Sequence, residues 1–454
     1  GFSPDGKRLV FVRASPADGE QALIVRNLET GAENRLAAVH APSTFLDNGY
    51  PDWSPDGKKI AVVVFRNAPR APVSGLVVVD AESGDMEEIE QPQLRQFEQA
   101  VWLADGKSLI VSARENGKFF QLWHLEYPEG RLQKVTNDLN IYRGVSLSAD
   151  KTKLLARQFT VYSHLWTGET NDLNNLRQRT FGNLNRDGMG GVTWTPAGDI
   201  IYVSRIMGDY DLWRYRPAED SREQLTKNVG EINRYPSASP DGKHIFFDSN
   251  RTGTHHVWRM NSTGGSDQTQ ITFSEKDSET YPQASSDGKW IYYIQRSGKT
   301  TSVWRKSLVD GRAEALTEPG TSSPNNFLSM SPDGKLLAFH NAGVRTAEDE
   351  GQKLYQIGVI PTDARSEPRF FNIAASRLVV RWSENNSALD YIVNSQGAGQ
   401  IWRQPIAGDK PPFVVIDLPN TFLHNFAWSM SGDKLVLSRG QQSNDAILLT
   451  NFQP

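Results

Sequence analysis

One short motif recurs along the whole chain and limits the folds that are open to it. The motif Ala-Ser-Pro-Asp-Gly-Lys occupies residues 238–243. Close copies begin at Phe2, Trp53, Ala284 and Met330, and weaker ones at Trp102, Leu147, Trp194, Trp382 and Trp428. The ten copies are separated by 44 to 52 residues. Such a period predicts a repeat architecture with one structural unit in each repeat.

Each repeat has the pattern of four short strands. Ser-Pro-Asp-Gly suits a type I turn, in which Pro presets φ and Gly takes the left-handed position. The strand after the turn alternates apolar and polar residues, as at Ile245 and Phe247. A third element usually contains Trp, as at Trp258, and a fourth ends in Leu-Thr or a similar pair. Four antiparallel strands per repeat predict an all-β fold, the β-propeller.

The number of blades is open to two interpretations. The favoured one divides the chain into three blades of an incomplete propeller (residues 1–136) and a closed seven-bladed propeller (residues 137–454). The last repeat has three strands of its own, and residues 132–136 are predicted to close it by pairing with residues 446–451. A single ten-bladed ring is the alternative, because the ten repeats follow one another without a linker. Since Gly1 and Phe2 enter directly at the motif, we expect a fragment of a longer protein.

Composition argues against several partners. The net charge is −4 and the isoelectric point is about 6.1, whereas nucleic-acid binding requires a concentrated basic face. No apolar stretch approaches 18 residues, so we predict no membrane span within the chain. The chain has no cysteine, which excludes disulfides, thiolate metal sites and cysteine nucleophiles.

Motifs of known catalytic and cofactor sites are missing from the sequence. There is no G-x-S-x-G elbow, H-E-x-x-H, P-loop or EF-hand loop. The eight histidines are scattered, and only His255 and His256 are adjacent. Adjacent strand residues point to opposite faces of a sheet. We therefore predict no catalytic residue, no cofactor and no metal site, and expect the chain not to be an enzyme.

Arginine, asparagine and tyrosine recur at positions that would line one opening of the ring of blades, which we term the mouth. In most repeats Arg or Asn stands where the second strand ends, and the loops that enter the next blade emerge on the same face. The predicted binding residues are Arg205, Arg251, Arg296, Arg439 and Asn394 at the strand ends, and Tyr142, Arg143, Arg234, Tyr235, Tyr281 and His424 in the entering loops. Such side chains suit carboxylates, sugars or peptide backbone. We predict a small-molecule or protein ligand at this mouth.

A structural role for the arginines is the alternative. Each Arg could belong to the turn of its own repeat and bind carbonyls of the neighbouring blade. Under the binding hypothesis Arg205, Arg251 and Arg296 should differ, with at least one exposed to the mouth. The motif aspartates, among them Asp241, are predicted to be turn formers.

The repeat resembles a known family. The order Ser-Pro-Asp-Gly-Lys, strand, Ser-Asn-Arg-x-Gly, strand with Trp, Leu-Thr resembles the TolB-type, WD-like propeller repeat over essentially the whole chain. Residues 142–452 also resemble the C-terminal propeller of large bacterial membrane-anchored serine/threonine kinases and winged-helix regulators. Residues 147–150, 191–196, 402–405, 426–429 and 437–449 carry that second likeness.

The resemblance implies a location and a role. It favours the periplasm or another extracytoplasmic location, with anchoring through a region before Gly1. It also implies a non-enzymatic sensor or interaction region of a larger bacterial regulator. A polysaccharide lyase or hydrolase and a TolB-like envelope scaffold are the alternatives. Several histidines with a carboxylate at the mouth would favour the enzyme, and an exposed apolar side patch would favour the scaffold.

Overall fold

The computed structural model contains strands, turns and loops. It describes residues 1–15, 19–46, 50–66, 73–115, 118–173, 175–182, 185–206, 209–227, 232–298, 300–319, 324–341, 355–363, 366–373, 379–395, 397–407 and 410–450. In this part of the chain no helix has the length and apolar character needed to cross a bilayer. The all-β propeller class is confirmed.

The repeated motif forms the predicted turn. Ser239 Oγ donates to Asp241 Oδ1 at 2.6 Å and accepts the backbone N–H of His244 at 2.9 Å. Gly242 has a φ of 72°, the left-handed conformation that glycine adopts without strain. The same pairs form at Ser54 and Asp56, Ser285 and Asp287, and Ser331 and Asp333. The motif aspartates are therefore turn formers, as predicted.

The chain folds into two compact units. The first comprises Gly1–Thr160 and Gln442–Pro454, and the second comprises Val161–Gln441. The predicted division at 136/137 differs from this one, because the observed boundaries fall inside two long strands, Lys153–Glu169 and Lys434–Thr450.

The first unit contains three sheets and part of a fourth. The strands of the three sheets are β1 (Arg8–Ser15), β2 (Glu20–Asn27) and β3 (Glu33–His40); β4 (Ser43–Phe45), β5 (Asp52–Trp53), β6 (Lys59–Arg66), β7 (Val73–Asp80) and β8 (Met86–Ile89); and β9 (Leu94–Trp102), β10 (Ser108–Glu115), β11 (Gln121–Glu126) and β12 (Leu132–Lys134). The fourth sheet begins with β13 (Ile141–Leu147) and β14 (Lys153–Glu169).

The second unit contains five complete four-stranded antiparallel sheets. Their strands are β16 (Val192–Trp194), β17 (Ile200–Ile206), β18 (Asp209–Arg216) and β19 (Ser221–Gln224); β20 (Asn233–Ala238), β21 (His244–Ser249), β22 (His256–Asn261) and β23 (Thr269–Gln270); β24 (Ser278–Ala284), β25 (Trp290–Ser297), β26 (Thr300–Ser307) and β27 (Ala313–Ala315); β28 (Pro324–Met330), β29 (Leu336–Asn341), β30 (Tyr355–Pro361) and β31 (Arg369–Ile373); and β32 (Val380–Trp382), β33 (Ala388–Ser395), β34 (Ala398–Pro405) and β35 (Phe413–Leu418).

A sixth sheet completes the second unit. The remaining strands are β15 (Arg177–Gln178), β36 (Phe422–Trp428) and β37 (Lys434–Thr450). The sheet order is β13-β14-β37-β36, and β15 pairs with β14. Because residues 161–169 and 434–441 belong to the second unit, its sixth sheet runs β36-β37-β14-β15.

The six sheets of the second unit close into a ring. Their first strands contact one another in the order β16, β20, β24, β28 and β32, and β36 contacts both β33 and β16. Six buried apolar clusters fill the spaces between neighbouring sheets, one for each pair. At the closing point Trp194 Nε1 donates to the carbonyl of Ala427 at 3.1 Å. These are the stacked blades of a propeller.

The predicted closing strand is wrong. Residues of β12 pair with β11, Leu132 opposite Leu125, and not with residues 446–451. The ring closes between β36 and β16, so it has six sheets in the described residues, neither seven nor ten. The physical reason is that residues 153–166 contain no Gly, Pro, Asn or Asp. The fourth repeat therefore runs straight through as β14 instead of turning after its second strand.

Candidate functional site

Three first strands of the second unit carry the same irregularity. Their register shifts at Tyr235, at Tyr281 and at Phe327, each three residues before the last residue of the strand. These residues have φ values of 53° to 57°. A left-handed conformation is an outlier for a bulky side chain. Bulges re-aim side chains, and here they turn three aromatic rings toward one another.

The three rings form what we term the aromatic cluster (Tyr235, Tyr281 and Phe327). The two tyrosine rings are stacked, with centroids 3.9 Å apart and planes 26° apart. Phe327 lies 5.4 Å from Tyr281 and 5.9 Å from Tyr235. The Tyr281 hydroxyl donates to Asn326 Oδ1 at 2.9 Å. Burial raises the pKa of Tyr281 well above its ordinary value, so its hydroxyl is a neutral donor.

A cavity of about 330 Å³ lies against the aromatic cluster. The rest of its wall consists of Met189, Asn326, Val379, Ile392, Asn394, Phe422, Leu423 and His424. Asn394 fixes one side, because its amide accepts the backbone N–H of Leu423 at 2.8 Å and donates to the carbonyl of Leu423 at 2.9 Å. Most of the wall side chains are aliphatic or aromatic, and polar atoms are interspersed among them.

A charged group lies directly behind the aromatic cluster. The Arg234 guanidinium carbon is 4.9 Å from the centre of the Tyr235 ring. Arg234 Nη2 is 3.9 Å from Asp248 Oδ2, and His255 Nδ1 is 2.8 Å from the same oxygen. The carboxylate of Asp248 is fully buried. Its charge is therefore shared between a cation and an oriented imidazole.

The adjacent histidines serve different sheets. His255 binds Asp248 of its own sheet, whereas His256 Nδ1 donates to Glu279 Oε2 of the next sheet at 2.8 Å. His255 precedes β22, which begins at His256, so the strand alternation expected from the sequence does not apply to this pair. In the part of the chain that the structure describes, no group of three or more His, Cys, Asp or Glu side chains could hold a metal ion.

Some of the predicted binding residues come together at the cavity. Tyr235, Tyr281, Asn394 and His424 line it, and Arg234 lies behind Tyr235. Tyr142 and Arg143 instead lie in the first unit. There the Tyr142 hydroxyl donates to Asp138 Oδ2 at 2.7 Å, and Arg143 Nε lies 3.4 Å from Glu98 Oε2.

The four strand-end arginines are not among the described residues that line the cavity. Arg205 is buried beside Tyr210, and Arg296 is exposed. Arg251 donates to the side-chain oxygens of Ser249, Gln268 and Asn233. Arg439 Nε donates to Thr421 Oγ1 at 2.8 Å. The partners of Arg251 and Arg439 lie in, or directly before, strands of their own sheets, whereas the structural alternative expected carbonyls of the neighbouring blade.

Sequence reasoning missed several residues of this site. Met189, Val379, Ile392, Phe422 and Leu423 also line the wall. A signal was present for Val379, which stands three residues before Trp382, as Tyr235 and Tyr281 stand before the last residues of their own strands. Alignment of the repeats on the turn motif therefore finds this part of the wall.

Comparison with known proteins agrees with the fold. Residues 170–358 match the model of the TolB beta propeller domain. Over that segment the chain is similar to TolB-type propellers. The matched segment contains the aromatic cluster and three complete sheets of the second unit. No curated protein matches the chain.

Solved structures with a similar fold include three bacterial proteins. TolB from Acinetobacter baumannii is 15% identical, with 80% of this chain and 79% of that chain covered and a TM-score of 0.33. A putative TolB from Agrobacterium tumefaciens is 18% identical (66% and 88% covered, TM-score 0.24). Oligogalacturonate lyase from Vibrio parahaemolyticus is 12% identical (88% and 96% covered, TM-score 0.34). These likenesses concern the fold alone.

Proposed function

We propose that the second unit is a binding module that holds a short peptide segment at the cavity. The observation that carries the proposal is the aromatic cluster, held by three consecutive sheets at the cavity wall. Left-handed aromatic residues cost about 1–3 kcal/mol each, and such strain concentrates at functional sites. A binding or scaffold role fits a TolB-like propeller.

Two polar side chains of the cavity wall are already held in hydrogen bonds, which favours binding over catalysis. The Tyr281 hydroxyl is committed to Asn326, and both ends of the Asn394 amide are committed to Leu423. Such bonds hold a wall in one shape. They do not prepare a nucleophile or a base for reaction.

A peptide is the ligand class that this wall suits. Tyr and Phe rings offer rigid contact area at low entropic cost, and they are enriched at recognition surfaces. The cavity volume of about 330 Å³ matches the small end of ligand sites. We therefore expect one apolar or aromatic side chain of the peptide to enter it.

The biological setting is a further part of the proposal. The resemblance of the repeat to TolB-type propellers supports an extracytoplasmic location. The likeness of residues 142–452 to regulator propellers supports a role as the sensor or interaction region of a larger bacterial protein. Neither nucleic acid nor metal enters this proposal.

Peptide display tests the binding role. Random dodecapeptides displayed on phage are selected on the purified full chain and then measured against two variants. We expect the selected peptides to lose at least about tenfold in affinity with Tyr281→Ala, since stacking on an aromatic ring contributes 0.5–1.5 kcal/mol and burial adds to it.

The matched control for that experiment is Tyr355→Ala. Tyr355 stacks on His340 with ring centroids 5.8 Å apart, in the same unit but away from the cavity wall. Peptides that bind Tyr281→Ala as well as the parent protein would exclude the cavity as the site. Failure to select any peptide would refute the proposed ligand class.

A polysaccharide lyase or hydrolase is the second candidate function, and one observation favours it. The buried Asp248 orients His255, whose side chain remains 19% exposed, as carboxylates orient general bases. Incubation with oligogalacturonate, followed by release of reducing ends, would show turnover. Turnover that disappears in His255→Ala would replace the binding proposal with this one.

A further inference from the structure

An arginine reaches across the centre of the second unit. Arg381 on β32 donates from Nε to the carbonyl of Phe426 at 3.0 Å and from Nη2 to the carbonyl of Val192 at 3.2 Å. Phe426 belongs to β36 and Val192 to β16. In the ring, β36 stands between β32 and β16. A side chain that joins β32 to both strands must therefore lie on the inner side of the ring.

This arginine contacts strands whose preceding residues form part of the cavity wall. Val379 and Leu423 line the cavity, and they come two and three residues before Arg381 and Phe426. A strand rises about 3.3 Å per residue, which places the guanidinium roughly 7–10 Å along the strands from those wall residues. Met189, which also lines the cavity, precedes Val192 in the same way. Arg381 therefore lies farther along these inner strands than the wall residues and is not itself among the described residues that line the cavity.

The charge of Arg381 has no carboxylate partner in the described part of the chain, where its partners are two neutral carbonyls. A guanidinium has five N–H donors, so donors remain after these two bonds. Burial lowers the pKa of Arg381 to about 10, which still leaves it charged at neutral pH. By its accessible surface the Arg381 side chain is half-buried, and a half-buried charge without a counter-ion loses part of its hydration.

We infer that the cavity recognises an anionic ligand group, a carboxylate, which binds the free donors of Arg381 while an aromatic group of the same ligand lies on the aromatic cluster. The inference rests on the proposed binding function and adds the charge of the ligand. Arginine suits this role because its planar fork can bind a carboxylate through two parallel hydrogen bonds. The carboxylate is either the C-terminus of a peptide or that of a small acid.

A pair of small probes that differ in one group tests the inference. N-acetyl-phenylalanine carries a carboxylate at neutral pH, and N-acetyl-phenylalaninamide is its neutral match. Saturation-transfer NMR and thermal shift with the full chain measure both affinities. We expect the acid to bind about tenfold more tightly, because hydrogen bonds to ionised groups are roughly twice as strong as neutral ones.

Variants of two arginines show which cation is responsible for the preference for the acid over the amide. Arg381→Gln should remove the difference between acid and amide. Arg305→Gln should retain it, because Arg305 also donates to a backbone carbonyl, that of Thr362 at 2.8 Å, but stands away from the cavity. Should Arg381→Gln fail to fold, Arg381→Lys, which keeps the charge without the fork, should show a reduced preference for the acid.

Each outcome bears on the inference differently. Equal binding of acid and amide would overturn the anion inference and leave the proposed function standing. A preference for the acid that persists in Arg381→Gln would also overturn it, since another cation would then be responsible. Binding of neither probe would refute both. Comparison of 3-phenylpropionate with a phenylalanine-ended tripeptide, free or amidated, then separates a small acid from a chain end.

Discussion

The two units share one turn motif but differ at the residue three positions before the end of the first strand. In three of the six sheets of the second unit that position holds the aromatic cluster, whereas in the first unit it holds Tyr50, Gln99 and Gly144. The Gln99 amide binds both the carbonyl and the N–H of Val145, at 2.8 Å and 3.1 Å. Gly144 has no side chain and a φ of 62°. The same position therefore carries stacked aromatic rings in the second unit, whereas in the first unit Tyr50, Gln99 and Gly144 line a cavity without such a stack among the described residues. The register of β13 shifts at Gly144, but that of β9 shifts at Glu98, one residue before Gln99.

The packing of the units differs as well. Each sheet of the second unit has a buried apolar cluster on both faces, whereas three clusters join the four sheets of the first unit in the described residues. The first unit has the larger cavity, about 640 Å³. Among its polar wall residues, Asp52 accepts the backbone N–H of Trp102 at 2.8 Å, and burial raises the pKa of Asp52. Cavity size alone therefore does not identify the site.

The largest expected effect comes from disturbing the sheet that completes the second unit. A Cβ at Gly440 would lie 1.8 Å from the carbonyl oxygen of Tyr162. Because backbone must then shift, Gly440→Ala should lower the free energy of unfolding by about 3 kcal/mol. Gly264→Ala is the control, since nothing lies within 4 Å of its added Cβ. Hydrogen exchange should show the loss in the second unit; an unchanged exchange pattern there would contradict the described closure.

The next largest effect should be a difference in stability between two variants of the strand-end arginines. Arg251→Ala removes three side-chain hydrogen bonds and should cost about 1–3 kcal/mol in denaturant unfolding. Arg296 is exposed, and Arg296→Ala should change stability by less than about 0.5 kcal/mol. Equal losses would show that both arginines are structural.

A double-mutant cycle sharpens the comparison at the aromatic cluster. Tyr235→Ala and Tyr281→Ala should show a coupling free energy of about 0.5–1.5 kcal/mol, the range for stacked rings. Tyr281→Ala combined with Tyr355→Ala should be additive, since these rings do not stack on each other. Chemical denaturation of the four proteins measures both cycles. Additive losses at Tyr235 and Tyr281 would mean that the stack contributes no stability of its own.

The smallest expected effect is a loss of stability at acid pH, and it should occur in both units. Hydrogen bonds from the motif serines lower the pKa of Asp56 and Asp241. Their contribution to stability is complete above the unfolded value of about 3.9 and disappears as the pH falls through the lowered folded value. Asp241→Asn should keep the turn, as Asn385 does naturally, where it accepts from Ser383 Oγ at 2.9 Å, but lose this pH dependence. If Asp241→Asn and the parent protein unfolded in acid with the same profile, this prediction would be contradicted.

The sequence predicted the repeat, the turn and the fold class because each depends on local chemistry. Ser239, Asp241 and Gly242 determine one turn without help from distant residues. The blade count depends instead on which strands pair at the ends of a ring, a non-local choice. The straight course of β14 was visible only as a lack of turn residues, and the four-strand pattern of the repeat concealed it.

The same distinction between local and non-local features decides which residues of the candidate site could be predicted from the sequence. Tyr235, Tyr281 and His424 could be predicted because entering loops of consecutive blades meet at one face. Arg381 could not, because its position depends on the ring order of β32, β36 and β16. Arg205 was assigned to the mouth from its place in the repeat, but its buried contact with Tyr210 depends on the packing around it.

Hydrogen exchange of the full chain with a display-selected peptide tests the central claim most directly. The claim is that ligand binds at the first strands of the second unit and that the equivalent strands of the first unit are structural. We predict slower exchange confined to segments around Tyr235, Tyr281 and Phe327 and to residues 379–382. Protection of residues 99–102 or 141–147 instead, or of neither unit while the peptide is bound, would contradict it.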